Sequence, residues 1–562
     1  MKKISFKVLT LAITLGAVAT TGFIIKPNNL LTTATEVNQA SEQVISLAGY
    51  QVEKLSTYGL FAPKYQNSHS YRIPSLIKTK SGKLISIVDQ RINNQLDSPY
   101  TPIHQVMRTS NDDGRTWTDA QVILKIHNNT GNIAGAIDST VIDDTHNTNT
   151  IYMAADVFPG GSGLMAIANN RNPLTGSDMG YTPDGKYQKF HILNDNKPYV
   201  LKEIKRQTNN VWFQVSQLKD NNPNNTADSN LVATKIFAHQ KYEPTTGVLS
   251  FLAYENINNI NEINNSVQGV SLFDGFNNEN QKYQKPKYYI DSASYIYLLK
   301  SQDDGKTWEL VNNITAQAKG NIKNANSVVL GPGQGIGLSK QKNPRLNGRL
   351  VFPFYAVTGA NPREAFAIYS DDHGQNWTKA QSFNDRAKYR DSKQWRMASE
   401  TQLIEADDGT LYAFLRTNEQ NKYYVSKSTD AGATWQAVDN NPDQPLSVYH
   451  YQNINSRAMH GLAHVKHKNT EYTFISLPTT GQRINGKLFV VKNNDYSRLE
   501  KIYDFNTKPN NTFAYSTITV LGQHDNIIEL GVLYEKSGKD PAFTYDFTDR
   551  NADGLWNFKN SN

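Results

Sequence analysis

SNDDGRTW at Ser110–Trp117, SQDDGKTW at Ser301–Trp308, SDDHGQNW at Ser370–Trp377 and STDAGATW at Ser428–Trp435 are four copies of one pattern, Ser-x-Asp-x-Gly-x-(Thr/Asn)-Trp. Asp and Gly favour a tight turn, and the Trp is a large apolar anchor that fixes the turn on its own sheet. The pattern therefore reads as a structural device, the turn between the third and fourth strands of a four-stranded unit. Ligand or metal binding by these loops is not needed to explain their residue types. A reduced fifth copy is expected at Asn493–Ser497.

A second repeat lies between the turns. SLIKTKSGKL at Ser75–Leu84 and QLIEADDGTL at Gln402–Leu411 share Leu-Ile, a Gly five residues after the Ile, then x-Leu, the signature of one hairpin used twice. Hairpins of the same kind are expected at Ser139–Ala155, Gly335–Tyr355, Gly461–Leu477 and Ser516–Tyr534. Six hairpins, each followed by outer strands, predict an all-β, six-bladed β-propeller, with a strand near Tyr58–Ala62 closing the last blade beside Ala542–Phe547. The boxes start at residues 110, 301, 370 and 428, so the first interval is more than twice the others. Extra material is placed in blade two, at Gly160–Pro286. Because it contains VWFQVSQL, KIFAHQKY and VLSFLAY, it reads as a β-rich insert subdomain. The propeller then takes residues 50–159 and 287–562.

Lys2, Lys3 and Lys7 precede the apolar run VLTLAITLGAVA, and Ala17-Val18-Ala19 suits signal cleavage. Residues 1–19 are read as a signal peptide and 20–49 as a flexible leader, giving a secreted protein with no stable membrane insertion once cleaved; an uncleaved signal anchor is the alternative. Loss of those three lysines lowers the formal charge from +7 to +4, a mildly basic surface without a basic run, so nucleic acid is not an expected partner. The sequence has no cysteine, which excludes disulfides, thiol nucleophiles and thiolate metal sites.

An antiparallel hairpin returns to the edge it left, so the start of strand one and the end of strand two share a rim. With strands read at Ser75–Ile77 and Leu84–Val88, Arg72 precedes the first while Arg91 and Asp97 follow the second. Glu400 and Arg416 flank one later hairpin and Tyr515 and Glu535 another, while Asp156 and Arg483 each follow a second strand. Three arginines and several carboxylates at one end of a propeller axis make an anion-binding cleft with acid/base capacity.

These motifs resemble a known family. YRIPSL, the four boxes, SETQLIEADDGTLYAFLR, GQRING, TFAYS and GVLYE occur in the order of bacterial exo-α-sialidases (neuraminidases) of glycoside hydrolase family 33, which call the boxes Asp boxes. The resemblance implies that Arg72, Arg416 and Arg483 grip a sialic acid carboxylate and that Glu535 orients Arg72. It makes Asp97 the acid/base, Tyr515 the nucleophile and Glu400 its partner, and puts Arg91 and Asp156 near the sugar's O4 and N-acetyl side. The substrate would be a terminal sialic acid of a glycoconjugate, with no cofactor or metal. Departures around VDQRINNQLDSPY bear on the aglycone and N-acetyl contacts. The chemistry agrees with the residues: planar guanidinium forks match a carboxylate, and a neutral Tyr avoids the like charge an acidic nucleophile would meet. Asp97 is expected in a solvent-poor setting that raises its carboxyl pKa. Two other readings stay open, an intramolecular trans-sialidase releasing an anhydro sugar and an inactive sialic-acid-binding propeller lectin.

Overall fold

The computed structural model describes residues 4–6, 44–47, 50–62, 64–127, 133–147, 149–164, 180–274, 286–322, 325–358, 363–385, 397–417, 419–441, 443–444, 446–455, 457–480, 483–505, 512–524, 527–537 and 552–560. Nearly every regular element is a strand; the one α-helix among the described residues is Thr315–Lys319. Antiparallel groups follow one another along the chain, the first being Ser70–Lys78, Leu84–Arg91, Ile103–Ser110 and Gln121–Ile126. The second joins Gly135–Asp143 and Ile151–Phe158 to Tyr295–Ser301 and Glu309–Asn313. Later groups begin at Ala325–Leu330, Thr401–Glu405, Gly461–His467 and Ser516–His524.

First strands meet around a ring. Ser70–Lys78 touches Gly135–Asp143, which touches Ala325–Leu330; Thr401–Glu405 touches Gly461–His467, which touches Ser516–His524, and that strand returns to Ser70–Lys78. This is the propeller arrangement. Its hydrogen-bonded sheets do not map one to a blade, because the first two groups and the segment between them join into a 16-stranded network.

Each box closes on itself as a turn. In the first, Ser110 Oγ donates to Asp112 Oδ1 (2.7 Å), Gly114 N–H donates to Ser110 Oγ (2.8 Å) and Thr116 N–H donates to Asp112 Oδ1 (2.8 Å). Gly114 has φ 78°, the left-handed region that glycine enters without a Cβ clash. The Asp carboxylate is consumed by the turn, and a buried Trp such as Trp377, stacked on Phe352 at 5.2 Å, anchors it. At Asn493–Ser497 the reduced copy keeps a turn, with Asn493 and Asn494 at positive φ and the buried Tyr496 in place of Trp.

Several boundaries differ from the sequence reading. Strands run further than expected, so Arg72 and Arg91 lie inside Ser70–Lys78 and Leu84–Arg91. The third group opens at Ala325–Leu330, which pairs with Leu350–Thr358; only Ile336–Gly337 of the expected opening at Gly335 pairs there. Gly331-Pro332-Gly333 breaks the chain after the true first strand and resembles the start of one. The last group is closed by Tyr50–Phe61 against Ala552–Asn560, while residues 542–547 lie outside the described residues. Most of residues 1–49, expected as signal and leader, lies outside them too, but Ile4–Phe6 and Val44–Leu47 pair with Tyr50–Phe61.

The added material between Phe158 and Tyr295 forms the antiparallel strands Gln188–Ile192, Asp195–Gln207, Asn210–Leu218, Leu231–Glu243 and Val248–Glu255. Val248 and Leu249 pair in parallel with Lys125 and Ile126, extending the first group's outer edge. One apolar cluster runs through Ile85 and Met107, Val141 and Met153, and Phe190, Leu201 and Phe251. Burial stabilises by about 1.5–3 kcal/mol for each such side chain, so the inserted strands and the first two groups share a core rather than sit as separate units.

Candidate active site

The rim geometry follows from backbone pairing carried just past the strands. Arg416 N–H donates to Glu400 O (2.8 Å) and Glu535 N–H to Tyr515 O (2.9 Å), so each pair faces across a hairpin mouth. Arg72 pairs with Asp89 in register, and then Ile73 takes φ 58°, unusual for a β-branched residue. Such a conformation costs roughly 1–3 kcal/mol and persists where its surroundings fix it. Here Ile73 N–H donates to Glu535 Oε1 (2.8 Å), and its side chain packs with Ala458, Met459 and Tyr515. The bulge thus seats Arg72 on Glu535 and supports the Tyr515 ring in one move.

A cavity of about 360 Å³ is lined by Arg72, Asp97, Asp138, Arg363, Glu400, Arg416, Arg483 and Tyr515, with Ile137, Phe158, Leu164, Val329 and Tyr355 as an apolar wall. Tyr515 Oη donates to Glu400 Oε1 (2.6 Å) and accepts from Arg416 Nη1 (2.6 Å), and Arg416 Nη1 lies 2.5 Å from Glu400 Oε1. The carbons of the Arg72, Arg416 and Arg483 guanidinium groups lie 5.6, 5.7 and 5.0 Å from the Tyr515 ring centre. Glu400 Oε2 is buried without a hydrogen-bond partner among the described residues. Burial pushes the Tyr515 phenol above its ordinary value; Arg416 and Arg483 oppose that shift and Glu400 adds to it. Tyr515 is therefore neutral at rest, with a carboxylate oxygen placed to take its proton.

Arg72 is held by two bonds, Nε to Glu535 Oε1 (3.1 Å) and Nη2 to Glu535 Oε2 (3.2 Å). Burial pushes the Glu535 carboxyl up, but Arg72 and the Ile73 N–H more than offset this and hold it below the usual range. Arg483, at φ 58° in the loop before Lys487–Lys492, donates from Nη2 to Arg457 O (3.3 Å). That loop rests on Phe513, whose ring lies so close to Gly486 that a Cβ there would sit 2.0 Å from it. Phe513 is two residues before Tyr515, so Gly486 permits the approach of two site segments.

Asp97 departs from expectation. Its side chain is 56% exposed, accepts from Arg91 Nη1 (2.6 Å) and lies 3.7 Å from Arg72 Nη1. Crowding raises its pKa, but Arg91 and Arg72 more than offset this and hold it below the ordinary carboxylate value, not above it. Arg91 is fully buried beneath, bonding Asp97 and, through Nη2, Asp89 Oδ2 (3.0 Å); it does not line the cavity. Asp156 does not line it either. It is buried and accepts from Ser294 Oγ (3.0 Å) and Leu330 N–H (2.9 Å), which leaves it a framework role. The reason is positional: Asp89 and Asp156 occupy matching ends of second strands, opposite Arg72 and Ile137.

Asp138 is the carboxylate that blade two does present, and it was missed. It sits at φ 59°, the place Ile73 holds in the first group, and burial followed by the charges of Asp89 and Glu400 keeps it protonated well above the ordinary value. Its position at the start of a first strand, in GAIDSTVID, was the available signal. Arg363 and Tyr355 also line the cavity without a sequence motif to mark them.

Residues 269–527 match the BNR repeat-like domain family. The chain is 26% identical over 535 residues to an anhydrosialidase of the leech Macrobdella decora, covering 88% of this chain and 61% of that protein. It is 26% identical over 368 residues to sialidase B of Streptococcus pneumoniae, covering 62% and 45%. The chain thus spans about half the length of these curated relatives. Among solved structures, the intramolecular trans-sialidase of Ruminococcus gnavus, in complex with oseltamivir carboxylate, superposes with a TM-score of 0.59 at 21% identity, covering 88% of this chain and 95% of that one. The leech intramolecular trans-sialidase gives 0.60 at 21%, covering 90% and 70%. In sequence the chain is thus similar to these sialidases, and its fold is the β-propeller of the solved structures.

Proposed function

We propose that the chain is an exo-α-sialidase that removes terminal sialic acids from glycoconjugates with retention, through a tyrosyl intermediate. The observation that carries this reading is Tyr515, whose Oη lies 2.6 Å from Glu400 Oε1 and whose ring has three guanidinium groups around it. A sugar whose anomeric carbon bears a carboxylate fits this set, because Arg72, Arg416 and Arg483 fix the anion while the attacking oxygen is uncharged. In the first step Tyr515 Oη bonds to the anomeric carbon as its proton passes to Glu400 Oε1, and the bond to the aglycone breaks as Asp97 gives its proton to the leaving oxygen. In the second, water attacks the anomeric carbon as the bond from Tyr515 Oη to that carbon breaks, Asp97 takes the water's proton, and Glu400 Oε1 returns its proton to Tyr515 Oη. A substrate carboxylate on Arg72 would weaken that residue's pull on Asp97, so binding itself would raise the Asp97 pKa toward the value an acid needs.

The relatives' names favour a second reading for the last step. One is called an anhydrosialidase, and the leech structure holds 2,7-anhydro-Neu5Ac. In that reading a hydroxyl of the bound sugar replaces water, with the same proton traffic. Proton NMR of products from sialyllactose separates the two: free sialic acid supports hydrolysis, an anhydro sugar supports internal transfer, and no turnover leaves the binding-propeller reading. The proposal also places the enzyme outside the cell, which sequencing the amino terminus of protein from culture medium would test.

A further inference from the structure

The inserted strands carry a second, separate depression of about 810 Å³, within the 300–1,000 Å³ range of ligand sites. Its walls include Thr182, Lys189, His191, Lys197, Tyr199 and Tyr289. The half-buried His191 ring stacks on the buried Tyr289 ring at 5.0 Å and 15°, so Tyr289 backs the ring face that His191 offers to the groove. A buried acid fixes that surface from behind: Asp291, 3% exposed, has Oδ1 2.5 Å from His191 Nε2, and its Oδ2 accepts from Gly180 N–H (3.0 Å). Lys189 Nζ stands 3.9 Å from the same carboxylate. Asp195, which also lines the groove, is satisfied within the protein by Tyr199 Oη (2.9 Å) and Lys197 N–H (3.0 Å). Both acids are thus taken up internally, while the amine of Lys197 stands on the exposed rim.

The groove and the catalytic cavity are built at the same end of the strands. Asp291 leads into Tyr295–Ser301, whose opening residues pair with Val157 and Asp156, beside the cavity-lining Phe158. The start of the insert also touches the Asp97 loop, where Ser98 Oγ donates to Ser162 O (2.8 Å).

We propose that this groove is a second binding site for carbohydrate, taking an anionic glycan chain alongside the one being cleaved. Ring faces carry negative quadrupole potential that suits the C–H face of a pyranose, while amines and amides suit its hydroxyls and carboxylate. Holding one chain of a branched or clustered glycoconjugate raises the local concentration of its neighbours at the cavity, which improves capture without any new contact in the cavity. The choice of a sialylated chain rests on the sialidase reading of the cavity; the carbohydrate site itself does not.

The test uses the full chain, sialyllactose as the monovalent probe and a glycoprotein bearing clustered sialylated chains. With the cavity disabled by Arg72→Ala and Arg416→Ala, saturation-transfer NMR should still detect bound sialyllactose, and adding Lys197→Glu should abolish the signal. In the active enzyme, Lys197→Glu should raise KM for the glycoprotein by roughly tenfold with kcat unchanged, leaving sialyllactose kinetics alone. His191→Ala, which removes the accessible ring, should act in the same direction, and Lys197→Glu, on an exposed side chain, guards against misfolding. No sugar signal in the cavity-disabled chain, or an unchanged KM for the glycoprotein, would overturn the proposal. Groove binding in a chain that cleaves no sialoside would sink the sialidase reading and keep this one; cleavage with unaltered variants would do the reverse.

Discussion

The two sides of the cavity are prepared to different degrees. On one, Tyr515, Glu400 and Arg416 are buried or nearly so and bonded to one another at 2.5–2.6 Å, each at the mouth of a hairpin. On the other, Asp97 stands on a loop with its side chain 56% exposed, tied to the arginines Arg91 and Arg72. Hairpin mouths cannot move without breaking paired strands, whereas a loop can. In the proposed mechanism the nucleophile is therefore set by the fold, and the acid by what binds.

Replacing Tyr515 by Phe tests the fixed side and has the largest expected effect. Turnover should fall on the order of 10⁴-fold or more, the scale of losing a nucleophile, while affinity for a sialic acid analogue by calorimetry persists because the ring and arginines remain. Asp97→Asn tests the adjustable side: roughly 10²–10⁴-fold slower turnover on sialyllactose, and much less on aryl sialosides, whose leaving groups need little protonation. Equal losses on both substrates would mean that Asp97 is not the acid. Arg416→Ala should weaken analogue binding by about 1.5–3 kcal/mol, the worth of a charge-assisted hydrogen bond, and also slow turnover through lost contact with Tyr515.

The smallest effect concerns pH. In the free enzyme Arg91 and Arg72 hold Asp97 below its ordinary value, with Arg483 adding to them. An acid with a low pKa loses its proton at low pH, so the alkaline limb of kcat/KM should lie below that of kcat, where the substrate carboxylate already occupies Arg72. Asp89, whose burial raises it to about 6, bonds Arg91 from behind but is already uncharged where Asp97 titrates. Asp89→Asn should therefore leave the kcat/KM limb where it is. A shift of that limb to lower pH would show that Asp89 still carries charge beside Arg91 as Asp97 loses its proton.

What the sequence disclosed follows the same division. Arg72, Glu400, Arg416, Tyr515 and Glu535 could be brought to one rim because hairpin pairing dictates it, and the boxes located the turns because their side chains close the turns themselves. Asp138 and Asp156 both flank one hairpin in the sequence, and it is Asp138, at φ 59°, that lines the cavity. No residue pattern announces such a bulge. Arg363 and Tyr355 come from inner positions of a group whose first strand was misplaced by the glycines after Leu330. The low pKa of Asp97 arises from Arg91 and Arg72 meeting it in space, which spacing along the chain cannot convey.

The central claim is that Tyr515, not a carboxylate, forms the bond to the sugar. A 3-fluorosialyl fluoride slows breakdown of a glycosyl-enzyme, so peptide mass spectrometry after brief incubation reads the nucleophile directly. The account predicts one sialyl adduct on the peptide containing Tyr515, absent from Tyr515→Phe. An adduct on Glu400 or Asp97 would contradict it and make this a two-carboxylate glycosidase.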